Sequence, residues 1–159
     1  MRDMTWARAI HVLAIVLWIG GVAMVTTVLL PAIKRFKSAS ERVAFFEAVE
    51  RRFAWQARAT TLLAGASGFY MMIRLGLLSS LHTLQFWWLG AMVCLWAIFT
   101  LMLFFFEPLF LHRWLEVRAK TAPESTFALI QRLHWVLLTA SLITVLGAVA
   151  GSHGASFFD

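Results

Sequence analysis

Charged side chains are scarce in this chain, since Lys, Arg, Asp and Glu together make up only 14% of its 159 residues. Soluble proteins carry roughly 25%. Hydrophobic residues account for 61% of the chain, whereas the average soluble domain has roughly 45 to 50%. This balance excludes an ordinary soluble domain and predicts an integral membrane protein.

Cysteine is also nearly absent, with Cys94 as its single representative. One cysteine excludes an internal disulfide, a paired-cysteine metal site and the Cys-x-x-Cys-His motif that attaches haem covalently. Segments in which apolar and polar residues alternate are lacking as well, and such alternation is typical of a membrane β-barrel. The membrane spans are therefore predicted to be α-helices, which satisfy their backbone hydrogen bonds internally.

Four long apolar runs dominate the sequence, over residues 6–32, 56–78, 84–111 and 127–151. Each reaches the roughly 20 residues that a helix needs to cross the hydrocarbon layer. So little chain remains outside them that we expect residues 1–159 to form a single membrane domain. The pattern predicts an all-α fold, an antiparallel bundle of four transmembrane helices.

The positive charges are concentrated in two of the links between these runs. Eleven of the fourteen Lys and Arg residues flank the first and third links: Lys34, Arg35, Lys37, Arg42, Arg51, Arg52, Arg58, Arg113, Arg118, Lys120 and Arg132. Basic loops stay in the cytoplasm, so both termini are predicted to lie on the outer side of the membrane. The expected location of the protein is a bacterial inner membrane. The basic charge then reflects topology and anionic lipid, and we expect the lipid bilayer as a partner and no nucleic acid.

The first cytoplasmic link contains a second helix signal. Ser38 and Glu41 have the spacing of a capping box, and Val43, Phe46 and Phe53 follow at helical intervals. An apolar face next to a basic link is typical of a helix that lies in the membrane interface. We therefore expect an interfacial helix in this connection.

Small and polar residues recur along one face of three of the spans. They are His11, Ala14, Trp18, Gly21 and Val25 in the first span, Ala57, Thr61, Ala64 and Gly68 in the second, and His134, Ser141, Thr144 and Ala148 in the fourth. Small side chains allow membrane helices to approach closely. These faces are predicted to meet in the bundle, so His11 should point inward.

His11 is the leading functional candidate, because an ionisable ring inside a spanning helix is costly unless it faces a cavity, a partner or a ligand. His82 and His153 are predicted to lie at the outer side of the membrane, as His11 does. Met71 and Met72 are predicted to lie at about the depth of His11. Histidine with methionine suits a haem axial pair or copper(I). Apolar packing of the methionines and a solvated surface role for His82 and His153 are the alternatives.

A second group, His112, His134 and Glu107, is predicted on the cytoplasmic side. His82 and His112 are about 45 Å apart along the third span at about 1.5 Å per residue, so the two groups cannot share one site. Glu107 needs a proton or a cation, for which Arg58, Arg132 and His134 are candidates. The group could hold a second haem or relay protons, or Glu107 could be a structural acid beside the kink expected at the next residue, a proline.

The first half of the chain resembles a known family. The run His11-Val12-Leu13-x4-Trp18-x-Gly20-Gly21 and the second-span pair Arg52-Phe53 with Gly68-Phe69-Tyr70 are similar to the CopD family of bacterial copper-resistance membrane proteins and to the related HemJ-type protoporphyrinogen oxidases. The resemblance implies a four-helix membrane unit in which His11 contacts haem, porphyrin or copper. Both groups usually have a basic residue in the third span, which is missing here between Gln85 and Phe106, so oxidase activity is left open.

Three functions follow as hypotheses. The first is a haem b-binding protein in which His11 provides one axial nitrogen and His153, His82, Met71 or Met72 the other, with redox or porphyrin handling at the outer face. The second is a copper-handling protein that uses His11, His82 and His153 with the methionines. The third is a structural or assembly subunit, within a homo-oligomer or a larger membrane complex.

Overall fold

The computed structural model describes residues 2–155, except for the side chains of residues 110–112 and 116. Every regular element in this part is helical, and the helices follow one another with few breaks. The α-helices are α1 (Arg2–Met24), α2 (Leu30–Phe36), α3 (Ala39–Arg74), α4 (Trp87–Leu101), α5 (His112–Thr121) and α6 (Pro123–Ser152). The π-helical segments Val25–Leu29 and Met102–Leu111 join α1 to α2 and α4 to α5, and short 3-10 turns (Leu77–His82 and Leu84–Phe86) join α3 to α4.

Three continuous helical stretches of the described chain are long and apolar enough to cross a membrane, namely Arg2–Phe36, Leu84–Leu109 and Pro123–Ser152. They correspond to the first, third and fourth predicted spans. Most of the second predicted span lies within α3. This part does not reach the same hydropathy, because it contains Gln56, Arg58 and Arg74 and because Gly, Ser and Thr dilute its apolar residues. The described part of the chain is thus all-helical, with three candidate spans.

Helix α3 occupies the centre of the bundle and contacts α1, α2, α4, α5 and α6. Its buried residues are mostly small, and they include Ala57, Thr61 and Ala64, as the sequence pattern predicts. The predicted inward faces of the first and fourth spans are confirmed too, since Trp18 and Ser141 are both buried. Small side chains on α3 therefore let α1 and α4 approach its backbone closely.

The prediction of a separate interfacial helix is wrong. The capping box of Ser38 and Glu41 forms as expected, but it begins the single 36-residue helix α3, which is about 54 Å long at about 1.5 Å per residue. The apolar face of its first half is buried, with Val43 and Phe46 packed against Leu30 and other residues of one core cluster. Protein contacts, rather than the membrane interface, cover this face.

Two apolar clusters lie one above the other along the bundle. The first surrounds Phe46 at the end that carries the basic links and contains Val25, Leu30, Ile33, Val43, Leu115, Phe127 and Ile130. The second contains Ala14, Trp18, Val22, Ala64, Phe99 and Leu138. Every long helix contributes to at least one of the two, and α3 and α6 contribute to both, so the bundle is closed along much of its length.

Gly65 marks a close approach between α3 and α4. The indole Nε1–H of Trp96 donates a hydrogen bond to the carbonyl oxygen of Thr61, at 2.9 Å. A methyl group added at Gly65 would overlap the same indole ring, whereas one added at Gly20 on α1 would meet nothing within 4 Å. The two glycines thus differ in packing while both lie in helix interiors.

We predict that Gly65→Ala destabilises the protein relative to Gly20→Ala by about 1–3 kcal/mol, because overpacking displaces the Trp96 ring. Both substitutions gain the same helix propensity, so their difference isolates the clash. Thermal unfolding of the two variants in the same detergent measures it. Equal melting temperatures would contradict the packing described for Trp96.

Candidate functional site

His11 joins α1 to α3 through its ring. Its Nδ1 lies 2.9 Å from the carbonyl oxygen of Ala64 and 3.2 Å from Oγ of Ser67. A backbone carbonyl can only accept a hydrogen bond, so Nδ1 must carry the proton. The neutral ring then has its lone pair on Nε2, for which the described residues provide no hydrogen-bond partner.

The small face of α3 makes room for this ring. A methyl group added at Gly68 would lie 3.0 Å from Cε1 of His11, which is tighter than ordinary van der Waals contact. Ala64, one turn before Gly68, and Ser67, next to Gly68, present a backbone carbonyl and a hydroxyl oxygen to Nδ1. The predicted inward orientation of His11 is therefore confirmed, and the residues that receive it are now named.

The remaining outer candidates lie apart from this contact. His82 and His153 are exposed, and the Nδ1–H of His153, just after α6, donates to the carbonyl oxygen of Val149 in the last turn of that helix, at 2.8 Å. Met72 is buried and Met71 half-buried, about one helical turn beyond Gly68 and Ser67 on α3. Within residues 2–155, apart from the undescribed side chains, no three His, Cys, Asp or Glu side chains form a metal-binding group.

A cavity of about 130 Å³ lies in the half of the bundle that carries the basic links. His134 and Glu107 both line it, so the structure brings together two members of the predicted second site. The third, His112, begins α5, but its side chain is not among those described. Two further polar wall residues are Trp18 and Glu50. Trp18 was predicted to face inward but not to line a site, and Glu50 was not predicted, although it shares a helical repeat with Phe46 and Phe53.

Arg58 is the cation that pairs with Glu107. Its Nη2 lies 3.2 Å from Oε1 of Glu107, and its Nε–H donates to the carbonyl oxygen of Leu103 at 3.0 Å. In a π-helix each carbonyl accepts from the N–H five residues later, which for Leu103 is Pro108, a residue that has none. Arg58 therefore fills the hydrogen bond that Pro108 leaves open and also neutralises the adjacent acid.

We predict that Arg58→Ala lowers the free energy of unfolding by roughly 2 kcal/mol, because it leaves a buried carboxylate and a carbonyl unpaired. The loss should be smaller than the roughly 3–5 kcal/mol of fully buried pairs, since the Arg58 side chain is 30% exposed. Arg51→Ala, at an exposed site on the same helix, is the matched control. Equal unfolding temperatures of the two variants in detergent would contradict this role.

His134 is also held by its own helix. Its Nδ1–H donates to the carbonyl oxygen of Ile130 at 2.9 Å, and its ring stands edge-on to Phe46 with centroids 5.5 Å apart. As for His11, the neutral ring keeps its lone pair on Nε2. The cavity wall thus contains a histidine of fixed orientation.

Glu50 lies on the part of α3 before the second predicted span. Burial, followed by the negative charges of Glu107 and Glu47, raises the pKa of the Glu50 carboxyl from 4.5 to about 7. A raised folded-state pKa means that the folded protein binds more protons than the unfolded chain between these two values. Stability therefore falls as the pH rises from about 4.5 to about 7.

We predict that Glu50→Gln reduces this loss, since a neutral amide has no charge to bury. At pH 8 the variant should be more stable than the wild type by up to about 3 kcal/mol, and at pH 4.5 the two should be nearly equal. Thermal unfolding across this pH range provides the measurement. Glu124→Gln, at an exposed acid, should leave the profile unchanged, and an unaltered profile for Glu50→Gln would contradict the burial of this carboxyl.

Comparison with known proteins found no match to any family model, to any curated protein or to any solved structure. The resemblance to the CopD and HemJ-type groups therefore stays a prediction based on the residues quoted above.

Proposed function

We propose that this protein binds haem b in a bacterial inner membrane, with Nε2 of His11 as one axial ligand. The observation that carries the proposal is the hydrogen bond from Nδ1 of His11 to the Ala64 carbonyl oxygen. Metal-ligating histidines usually donate their other ring N–H to a carbonyl or carboxylate, which fixes the tautomer and the orientation of the ring. His11 has this arrangement before any ligand is bound.

The proposal includes an antiparallel bundle of four spans with both termini outside. Three helical stretches suit a membrane span by length and hydropathy, and the part of α3 that contains the second predicted span runs among them. The basic residues flank the first and third links, which favours a cytoplasmic position for both. In this topology His11 lies toward the outer surface.

The donor set around His11 suits an iron porphyrin. His11 offers a ring nitrogen, and Met72 and Met71 on α3 are the nearest candidates for a second ligand by depth, whereas His82 and His153 would have to turn inward from exposed positions. Bound haem would supply one-electron redox chemistry; the protein orients the ligand and excludes water.

Haem is favoured over copper because the porphyrin itself supplies four nitrogen ligands, so the protein needs to provide only one or two. A copper site without a porphyrin needs a larger set of converging side chains, whereas His82 and His153, the other histidines of the copper hypothesis, are exposed. A structural role competes more directly, since the same hydrogen bond of His11 joins α1 to α3. The test must therefore separate ligation from helix packing.

We predict that His11→Asn abolishes haem binding and leaves the fold intact. The shorter amide can still donate to the Ala64 carbonyl from nearly the position of Nδ1, but it has no atom in the place of Nε2. His11→Ala should lose haem and also about 1 kcal/mol of stability, the usual contribution of one hydrogen bond. Reduced-minus-oxidised spectra and thermal unfolding of protein produced with ample haem measure both properties.

Four outcomes would count against this proposal. A full Soret band in folded His11→Asn would remove His11 as ligand, and no Soret band in the wild type would remove haem altogether. Copper that copurifies with the wild type and is lost from His11→Asn would favour the copper hypothesis. A colourless, metal-free protein that copurifies with defined partners would favour an assembly subunit.

A further inference from the structure

Trp18 is a buried residue of the cavity wall to which no role has been assigned so far. It lines the cavity of about 130 Å³ described above, and its side chain is only 4% exposed. Its indole Nε1–H is buried and has no hydrogen-bond partner among the described residues. A buried donor without an acceptor is costly, and most such groups in native proteins are satisfied by protein, water or ligand.

The character of the cavity wall restricts what could satisfy this donor. Aromatic and aliphatic side chains form most of the wall, among them Phe46, Phe53, Phe99 and Trp114. Trp18 itself stands edge-on to Phe99, with ring centroids 4.9 Å apart, so packing holds its plane in place. The occupant should be apolar over most of its surface and should carry a hydrogen-bond acceptor.

The charges at the cavity favour a neutral occupant. Glu50 and Glu107 line it, whereas no Lys or Arg is found among its described lining residues, and Arg58 is already paired with Glu107. An anionic headgroup would meet carboxyl groups without a free cation. A cation would leave the indole N–H without an acceptor, so neither kind of ion suits the wall.

The size of the cavity indicates that only part of the ligand enters it. Its volume equals that of about four waters of the bulk liquid, and it is below the roughly 300 Å³ at which pockets for drug-sized ligands begin. Met24, Trp114 and Leu133 belong to the wall and are 43–47% exposed. A headgroup could therefore sit inside while an apolar chain extends into the bilayer.

We propose that this cavity binds the headgroup of a neutral, lipid-soluble carbonyl compound, whose carbonyl oxygen accepts the hydrogen bond of Trp18 Nε1–H. Two sources share this chemistry, a lipid-soluble quinone and an ester of a long-chain acid. The flat ring of a quinone matches the aromatic wall, and we take it as the expected ligand. The site is distinct from His11 and does not depend on haem.

Thermal unfolding with added probes tests the proposal, because a ligand that binds the folded state raises the melting temperature with concentration. The probes are decylubiquinone, methyl decanoate and decanoate, each titrated at pH 8 into the full-length protein in one detergent. Decylubiquinone should stabilise the wild type. Trp18→Phe, which keeps an aromatic ring but has no N–H, should weaken its apparent affinity roughly tenfold.

Trp6→Phe is the matched control, because Trp6 is 67% exposed and lies outside the cavity wall; its response should equal that of the wild type. If Trp18→Phe fails to fold, Ala54→Leu provides a second variant, since Ala54 lines the cavity and a larger side chain should fill it and abolish the shift. His11→Asn should respond to the probe like the wild type, so failure of haem binding and failure of this site are separately visible.

The other outcomes are equally decisive. A Trp18-dependent shift with methyl decanoate and none with decylubiquinone would assign the site to ester carbonyls, which keeps the shared chemistry. A shift with decanoate as large as that with the neutral probes would overturn the charge argument. No probe-dependent shift in the wild type, or equal affinity in Trp18→Phe, would overturn the proposal.

Discussion

Polar groups inside an apolar bundle have almost no water to satisfy them, and this constraint determines how the helices of this protein meet. The cross-bundle hydrogen bonds described here all involve α3. His11 donates to the Ala64 carbonyl oxygen from α1, and Trp96 donates to that of Thr61 from α4. Arg58 reaches out from α3 to the carbonyl oxygen of Leu103. The least hydropathic of the long helices is thus the one that the others surround.

Several buried hydroxyl groups are satisfied within their own helix. Thr26, Thr60, Ser141 and Thr144 are buried, and each donates to the carbonyl oxygen four residues earlier in its own helix. Such bonds satisfy the side chain locally, so the neighbouring helix meets only a small, nearly apolar surface. Close helix packing and polar composition are compatible here for this reason.

Much of this arrangement could be predicted from the sequence, because the periodicity of small residues reports directly which faces meet. The continuity of α3 was missed because its first half is amphipathic and its second half is apolar, which suggested two different environments. The evidence for one helix was nevertheless present. After Ser38 the sequence has no proline and no glycine before Gly65, so no residue there favours a break.

The candidate sites were predictable only in part, for a related reason. A sequence pattern can predict that His11 points inward. It cannot show that the Ala64 carbonyl, which already accepts a hydrogen bond within its helix, accepts a second one from His11. The cavity arises from the packing of several helices, and none of its walls is visible from one helix alone. Trp18 was therefore assigned to a packing face, and its unpaired N–H emerged only from the assembled bundle.

His11 and Trp18 are linked by more than their place on one helix. They are seven residues apart, close to two helical turns, which places them on the same face and about 10 Å apart along α1. The same small face of α3 accommodates both, through Gly68 and Ala64 beside His11 and Ala57 beside the cavity. A larger side chain on this face would push α1 outward. His11 would then lose its hydrogen-bond acceptor, and Trp18 would lose its enclosure in the cavity. The small residues of α3 are therefore the common cause of both candidate sites, although the two sites differ in chemistry.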